Sequence, residues 1–230
     1  MTQFYLEEDR LLVSVDCIIL GFQNNEINVL IVKRKVNPLK GGRSLMGGFV
    51  RKDESLNETV SRVVAGYTGV ENVYMEQVGA YGDVNRDPGG RVISVVYYAL
   101  IDMHQFDEQL KDRHNTEWVN IKNVGQLILD HRRFLDDALR HLRLRSTKHP
   151  VGFNLLPEHF TLPQLQSLYE AIYAHELDKR NFRKKILEMG VLEKLDKKDK
   201  SSSKRGAFYY KFNKKKYDYL IKNGEDMSFI

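Results

Sequence analysis

The segment 179–216 holds most of the side chains that could bind a polyanion. It contains fifteen lysines and arginines against four acidic residues. Residues 1–149 carry 20 basic and 20 acidic residues, so the positive excess of the chain lies in its last third. A basic surface confined to one region favours nucleic acid as the partner. A solvated lysine surface is the alternative interpretation.

Two helical patterns would position these charges. Apolar residues recur at helical spacing through 157–174, with Thr161 as the predicted N-cap. A second helix over 179–189 can begin after Asp178 and end at Gly190, a residue that favours the left-handed C-cap. The residues predicted to face inward from this helix are Phe182, Ile186, Leu187 and Met189.

Two strand patterns follow, at 191–195 and 207–212, joined by a polar segment at 196–205. This order predicts a winged helix-turn-helix, whose second helix enters the major groove while the wing approaches the DNA backbone. Arginine and lysine pair with guanine edges and asparagine pairs with adenine. The predicted DNA contacts are Lys179, Arg180, Asn181, Arg183, Lys184, Lys204 and Arg205. A small helical interaction domain is the alternative.

The first part of the chain predicts strands around one short helix and ends in a longer helix. The predicted strands are 11–22, 27–35 and 91–101, with a turn at 23–26 between the first two. The predicted helices are 54–67, which Ser55 or Asp53 can cap, and 124–144. Pro150 follows a polar stretch and prevents the second helix from continuing. We therefore expect a first domain at 1–149, which includes the linking helix, and a second domain at 150–230.

A glycine-rich segment and the helix after it carry a recognisable spacing. The pattern G-x5-E-x7-R-E-U-x-E-E-x-G-U, in which U is aliphatic, is matched by Gly48, Glu54, Arg62, Val64, Gly69 and Val70. The first domain therefore resembles the Nudix family. The resemblance implies an α+β chain in which a Nudix-like α/β/α sandwich with a mixed sheet precedes the winged helix-turn-helix domain. It also implies that Glu54 and Arg62 tie the loop to the helix.

The same comparison shows a departure from the family's chemistry. The three later glutamates, which bind the divalent cation of pyrophosphate hydrolysis in that family, are replaced by Val63, Gly66 and Tyr67. No aspartate or glutamate occurs between residues 59 and 70, so this part of the helix offers a hard cation no carboxylate. We predict no catalytic residues, no metal ligands and no cofactor.

A Nudix-like domain without these carboxylates, followed by a winged helix, resembles the Nudix-related transcriptional regulators. The resemblance implies a ligand-responsive repressor that binds a palindromic operator as a homodimer. Among these regulators the chain is most similar to the arabinose-responsive members. The resemblance therefore implies L-arabinose as the effector and genes of carbohydrate metabolism as the targets. The alternatives are an ADP-ribose-responsive regulator of NAD metabolism, a Nudix-type pyrophosphate hydrolase and a sugar-sensing adaptor that contacts proteins.

An effector pocket would use polar residues at positions where core residues are expected. Asp16 interrupts the apolar run VSVDCIIL, and a buried carboxylate requires partners such as sugar hydroxyls or a structural arginine. The predicted ligand-binding residues are Asp16, Lys33, Arg43, Asp83, Arg91 and Tyr97. His131 is predicted to make a structural contact.

Composition excludes several other classes of protein. Cys17 is the single cysteine, which excludes an internal disulfide and a cysteine-based zinc site and favours a reducing compartment. No apolar run approaches the roughly 20 residues that cross a bilayer. We expect a cytoplasmic protein with no membrane partner.

Overall fold

The computed structural model describes residues 7–200 and 206–224. Its strands are β1 (Leu12–Gln23), β2 (Glu26–Lys33), β3 (Arg43–Ser44), β4 (Met46–Phe49), β5 (Tyr74–Tyr81), β6 (Val92–Leu100), β7 (Thr116–Asn120), β8 (Phe160–Thr161), β9 (Leu192–Asp199) and β10 (Ala207–Phe212). Its α-helices are α1 (Leu56–Thr68), α2 (Glu108–His114), α3 (His131–Lys148), α4 (Leu162–Tyr173), α5 (Lys179–Glu188) and α6 (Lys214–Lys222). Short 3-10 turns lie at Met103–Gln105, Ile121–Asn123 and Val151–Leu155. None of the helices in these described ranges is both long and apolar enough to span a bilayer.

The first domain is built on a mixed sheet. Its strands run in the order β3-β2-β1-β6-β5, with β4 paired to β1 and β7 paired to β2. Strand β1 is antiparallel to β2 and parallel to β6. Alternating residues of β1 enter two cores: Cys17 and Ile19 pack on the α1 side, and Ile18 and Leu20 pack on the α3 side. The predicted α/β/α sandwich is confirmed.

The hairpin between β1 and β2 forms where its residues predict. Asn24 and Asn25 both have positive φ, at 54° and 61°, and Gln23 pairs with Glu26. Asparagine tolerates this conformation better than most residues, which suits it to a two-residue hairpin turn. The turn fixes the register of two strands that are largely buried.

Helix α1 also follows its sequence signals. The Ser55 hydroxyl accepts a hydrogen bond from the Glu58 backbone N–H at 3.3 Å, and the Glu58 carboxylate accepts one from the Ser55 N–H at 2.7 Å. This reciprocal capping box satisfies N–H groups that the first turn leaves without partners. Gly69, at φ +74°, ends the helix in the left-handed region.

Helix α3 differs from the linking helix predicted over 124–144. It begins at His131 and continues to Lys148. Gly125 and Leu129 have φ values of +69° and +50°, which an α-helix cannot contain, so the segment before His131 is irregular. The apolar periodicity that extended the prediction backwards reflects burial of Val124 and Leu127 in loop conformations.

The second domain has a winged helix-turn-helix layout. Helix α4 packs against a sheet in the order β8-β10-β9, and helix α5 packs against α4. The predicted Thr161 cap forms a second capping box, in which its hydroxyl accepts from the Gln164 N–H at 3.3 Å. Strand β9 continues to Asp199 rather than ending at the predicted residue 195, because Lys198 and Asp199 pair with Phe208 and Ala207 of β10.

The two domains pack against each other around α3. One continuous hydrophobic core includes Leu135 of α3 together with Leu165 and Tyr169 of α4. The Arg143 Nε donates to the carbonyl of Ile172 at 2.8 Å, which fixes α3 to the end of α4. The joint predicted at 149/150 is therefore flanked by packed contacts.

Candidate functional site

Residues 47–55 run from β4 to the start of α1, and we call them the Nudix-box loop. Glu54 and Arg62 form the ion pair that holds this loop on α1. Arg62 donates from Nε and Nη2 to the two carboxylate oxygens of Glu54, at 2.6 and 2.7 Å. Its Nη2 also donates to the carbonyl of Phe49 at 3.1 Å. The hydrogen bonds from Arg62 lower the pKa of Glu54 to about 2. Both side chains are thus committed to a structural contact, as predicted.

The positions that hold glutamates in a Nudix hydrolase have no oxygen donors suited to a divalent cation here. Val63 is buried and lies beside Gly48. A side-chain carbon on Gly66 would meet open space, and the Tyr67 ring packs on His114 with 4.9 Å between centroids. Throughout 7–200 and 206–224, no group of three or more histidine, cysteine, aspartate or glutamate side chains could hold a metal.

A cavity of about 680 Å³ lies next to the Nudix-box loop, and we call it the basic cavity. Its lining includes Gly48 and Phe49 of the loop and Tyr67 of α1, together with residues of β1 and β2. Five lysines and arginines line it against two aspartates, Asp16 and Asp87. The basic residues are Lys33, Arg34, Lys35, Arg86 and Arg113. The cavity therefore suits an anion.

Asp16 is the buried carboxylate of this cavity, at 8% exposure. It accepts a hydrogen bond from the Ser94 hydroxyl, and His131 Nε2 lies 3.7 Å from its Oδ1. The Leu45 backbone N–H donates to His131 Nδ1 at 3.1 Å, which places the proton of the neutral ring on Nε2, facing Asp16. Burial lowers the pKa of His131 and so favours this neutral form.

Gly47 is required beside that carboxylate. It pairs with Asp16 across β1 and β4, and a Cβ at position 47 would come within 2.7 Å of Asp16 Oδ1. A side chain there would displace the carboxylate or the strand. The Nudix-box loop thus approaches Asp16 by its backbone alone.

The edge of the basic cavity also carries apolar side chains. Phe49 is 55% exposed and Val36 is 62% exposed, although both are large hydrophobic residues. An exposed aromatic ring beside a positively charged wall provides a stacking surface next to an anion site. The cavity can therefore accommodate a ligand that has both a planar apolar part and negative charge.

The structure brings together only two of the six predicted ligand-binding residues. Asp16 and Lys33 line the basic cavity, and the other four lie outside it. Arg43 pairs with Glu117 at 3.0 Å, and Asp83 pairs with Arg133 at 3.4 Å. Arg91 donates to the carbonyl of Gly82 at 2.8 Å, and Tyr97 packs in the core on the α1 side.

Sequence reasoning missed Arg34, Phe49 and Arg113 as cavity residues. The run Lys33-Arg34-Lys35 was an available signal, because it places three adjacent positive charges at the end of a buried strand. His131, predicted as a structural contact, also lines the cavity. No comparable local signal marks Phe49 or Arg113.

Helix α5 presents a basic surface. The predicted DNA-contacting residues on this helix, Lys179, Arg180, Asn181, Arg183 and Lys184, are all exposed. Phe182 and Ile186 are buried on the opposite face, but Leu187 is 40% exposed and does not face inward as predicted. The Asp178 carboxylate caps the helix by accepting a hydrogen bond from the backbone N–H of Asn181 at 2.7 Å. This cap does not involve the Asn181 side chain.

The wing places lysines over aromatic rings. The Nζ atoms of Lys194 and Lys198 lie 3.7 and 4.3 Å from the Phe208 ring centroid. Cation–π contacts of this kind restrict long side chains while leaving their charge near the surface. Lys204 and Arg205, the predicted wing contacts, lie outside the described residues.

Comparisons with known proteins cover both domains. A model of the NUDIX domain matches residues 10–142, and a model of the NrtR DNA-binding winged helix domain matches residues 152–212. The chain is 34% identical over 212 residues to the ADPR responsive transcriptional repressor NtrR of Acinetobacter baylyi, covering 90% of this chain and 84% of that protein. The crystal structure of Shewanella oneidensis NrtR complexed with a 27mer DNA superposes with a TM-score of 0.80 at 29% identity, covering 87% of this chain and 93% of that one.

A similar enzyme matches the first domain only. The ADP-ribose pyrophosphatase of Methanocaldococcus jannaschii is 32% identical over 138 residues, which cover 59% of this chain and 79% of the enzyme. The likeness to the repressor extends further, because it includes the winged helix.

Proposed function

The chain belongs to the NUDIX family and carries an NrtR-type DNA-binding winged helix domain, and from this we propose that it is an ADP-ribose-responsive transcriptional repressor. The observation that carries the proposal is the basic cavity beside a Nudix helix that lacks the acidic side chains of a hydrolase. We place the boundary between effector and DNA-binding domains at 149/150.

The chemistry of the basic cavity suits ADP-ribose. Its pyrophosphate carries negative charge that Lys33, Arg34 and Arg113 can neutralise. Its ribose hydroxyls can donate to the Asp16 carboxylate, and its adenine can stack on the exposed ring of Phe49. A volume of about 680 Å³ also lies within the range of cofactor-sized sites, roughly 300–1,000 Å³.

The comparisons favour ADP-ribose over L-arabinose, the effector expected from the sequence. The repressor that matches both domains is named as ADPR responsive, and neither arabinose nor carbohydrate metabolism receives support. Arg86 already pairs with Asp130, but a neutral pentose would bring no charge to offset the other four basic side chains of the cavity. We therefore replace the arabinose expectation with the ADP-ribose alternative.

We propose that the effector is bound without being hydrolysed. Pyrophosphate hydrolysis in this fold needs a divalent cation, and hard cations need oxygen ligands. The three positions on α1 do not provide such ligands. They hold the buried apolar Val63, Gly66, which has no side chain, and Tyr67, whose ring packs on His114. The surviving Glu54 carboxylate is already held by two hydrogen bonds from Arg62.

Helix α3 offers a direct route between effector and DNA. Its first residue, His131, lines the basic cavity and faces Asp16. Near its other end, Arg143 and Ser146 bond to Ile172 and Tyr173 of α4 in the winged helix domain. We propose that ADP-ribose shifts α3 and so repositions α5 in a homodimer bound to a palindromic operator. By linkage, operator binding must then weaken ADP-ribose binding by the same factor.

The proposal is tested by measuring DNA release and effector binding together. A high-affinity duplex is first selected from a random 30-base-pair library, and its dissociation is followed by fluorescence anisotropy during titration with ADP-ribose or L-arabinose. ADP-ribose is expected to release the duplex, and L-arabinose is not. Release by arabinose alone, or by neither compound, would contradict the assignment.

A pair of charge-reversal variants tests the cavity itself. Lys33→Glu should weaken ADP-ribose binding about tenfold, measured by calorimetry, because it removes one charge-assisted contact and adds repulsion. Lys52→Glu makes the same change at an exposed lysine outside the cavity lining and should leave affinity within about twofold. Equal losses in both variants would place the effector elsewhere.

A further inference from the structure

We propose that a second cavity, at the joint between the two domains, binds a small anion with a planar apolar body. This joint cavity has a volume of about 400 Å³. Its walls come from Tyr74 of β5, the end of α3, the turn Val151–Leu155, strand β10 and the first turns of α6. The described residues that line it are all different from those that line the basic cavity.

The floor of the joint cavity is aromatic. Phe153 stacks on Phe212 with 4.4 Å between ring centroids and an interplanar angle of 13°, and its centroid lies 5.3 Å from that of Phe160. Val151 and Leu156 complete the apolar surface. Stacked rings that border an open space favour a flat apolar group over a hydrated one.

The rim of the joint cavity is positively charged. Arg145, Lys211 and Lys214 line it against one carboxylate, Glu158, which pairs with Lys211. Arg145 uses Nε to bind Glu76 at 2.7 Å, and its guanidinium has further N–H donors. Lys214 has 76% of its side chain exposed, although it also pairs with Asp218. Each of the three cations thus has one carboxylate partner, and an anionic head group would bind the donors that these pairs leave on Arg145 and Lys214.

A second cleft between the domains has a different charge composition and serves as a comparison for the joint cavity. That cleft, of about 730 Å³, lies between the β1–β2 hairpin, α3 and the end of α4. Four basic residues line it against four acidic ones, so it prefers neither sign of charge. Among the residues that line the joint cavity, by contrast, three are basic and one is acidic, and an occupant there would contact both domains at once.

The test uses the full chain and 8-anilinonaphthalene-1-sulfonate, a planar aromatic anion whose fluorescence rises in apolar sites. The basic cavity suits the same chemistry, so the titration is made with ADP-ribose in excess to occupy it. We expect saturable binding of one probe per chain under that condition. Lys214→Glu should weaken binding about fivefold, because it reverses a charge on the rim. Lys215→Glu, one residue along α6 and outside the cavity lining, should change it less than about twofold.

A variant that fills the joint cavity with a larger side chain tests the proposal independently. Leu156→Trp should abolish saturable probe binding, with circular dichroism showing whether the variant folds. If it does not fold, the comparison of Lys214→Glu with Lys215→Glu decides the matter. Equal affinities of those two variants, loss of all probe binding in excess ADP-ribose, or binding that never saturates would each overturn the proposal. The comparison of Lys214→Glu with Lys215→Glu does not depend on which effector the basic cavity takes.

Discussion

Helices α1 and α5 are built in similar ways. Each begins at a side-chain cap, Ser55 for α1 and Asp178 for α5, and each is followed by a glycine at positive φ, Gly69 or Gly190. Each also buries one face in a hydrophobic core. They differ in their exposed surfaces, since α5 displays lysines and arginines and α1 has lost the acidic residues of its family's motif.

In both helices the residues that maintain the fold are different from the residues that could bind a ligand or DNA. Caps, C-terminal glycines and buried apolar residues specify a helix whatever its solvent face carries. In α1 the loop-anchoring pair Glu54–Arg62 persists although the cation ligands do not. In α5 the same kind of scaffold supports charges that a winged helix uses on DNA.

The largest effect should come from restoring an acid to α1. Val63→Glu places a carboxylate at a side chain that is 5% exposed, and it should lower the free energy of unfolding by about 3 kcal/mol or more, because a buried charge lacks a partner there. Gly66→Glu faces open space and should leave stability unchanged or raise it by up to about 1 kcal/mol. Urea denaturation measures both, and equal destabilisation would show that α1 does not bury position 63.

The exposed face of α5 should determine sequence preference. Alanine at Arg180, Asn181 or Arg183 should lower affinity for the selected duplex by about 1–3 kcal/mol and affect random DNA less. Lys204→Ala should instead weaken binding to both kinds of DNA alike, because Lys204 is predicted to contact a phosphate, which every duplex carries. Anisotropy titrations against both duplexes make the comparison. Identical effects of an α5 variant on selected and random DNA would mean that α5 does not recognise bases.

The caps should contribute equally to the two helices. Ser55→Ala and Asp178→Ala should each lower the free energy of unfolding by about 1 kcal/mol, since each leaves an N–H of the first turn without its acceptor. Ser55→Thr and Asp178→Asn keep an acceptor and serve as controls. If either alanine variant is as stable as its control in urea, that cap does not contribute to the helix.

The smallest effect concerns acid stability of the Nudix-box loop. The pKa of Glu54 is lowered to about 2 by its hydrogen bonds from Arg62, so its stabilising contribution is present above the unfolded-state value and is lost as pH falls through about 2. The stability difference between wild type and Glu54→Gln should therefore shrink between pH 7 and pH 3. Glu71→Gln, at an exposed position, is the control. A difference that stays constant with pH would contradict the assigned pKa.

Local signals allowed much of the fold to be predicted. The Asn24-Asn25 turn, the caps at Ser55, Thr161 and Asp178, and the apolar periodicities each act over a few residues. Strand β5 was missed because its pairing with β6 is interrupted by a register shift between Gln77 and Gly79 and its burial does not alternate cleanly. Helices α2 and α6 were missed because each is short and buries none of its residues fully.

The basic cavity could be predicted only in part. Its residues Asp16, Lys33, Phe49, Arg86 and His131 come from segments far apart in the chain, and tertiary packing alone brings them together. Tyr97 was predicted to bind the ligand because its ring could stack on a sugar. Strand β6 is buried on both faces, so alternation along the strand cannot show which face meets the ligand. The exposed basic surface of α5 was easier to predict, because a single helix carries it.

The central claim is that the first domain binds ADP-ribose and leaves it intact. Phosphorus NMR of ADP-ribose incubated with the protein, magnesium and the selected duplex tests it most directly. The account predicts that the duplex is released while the two pyrophosphate resonances persist unchanged. Conversion of those resonances into phosphomonoester signals at catalytic protein concentration would contradict it.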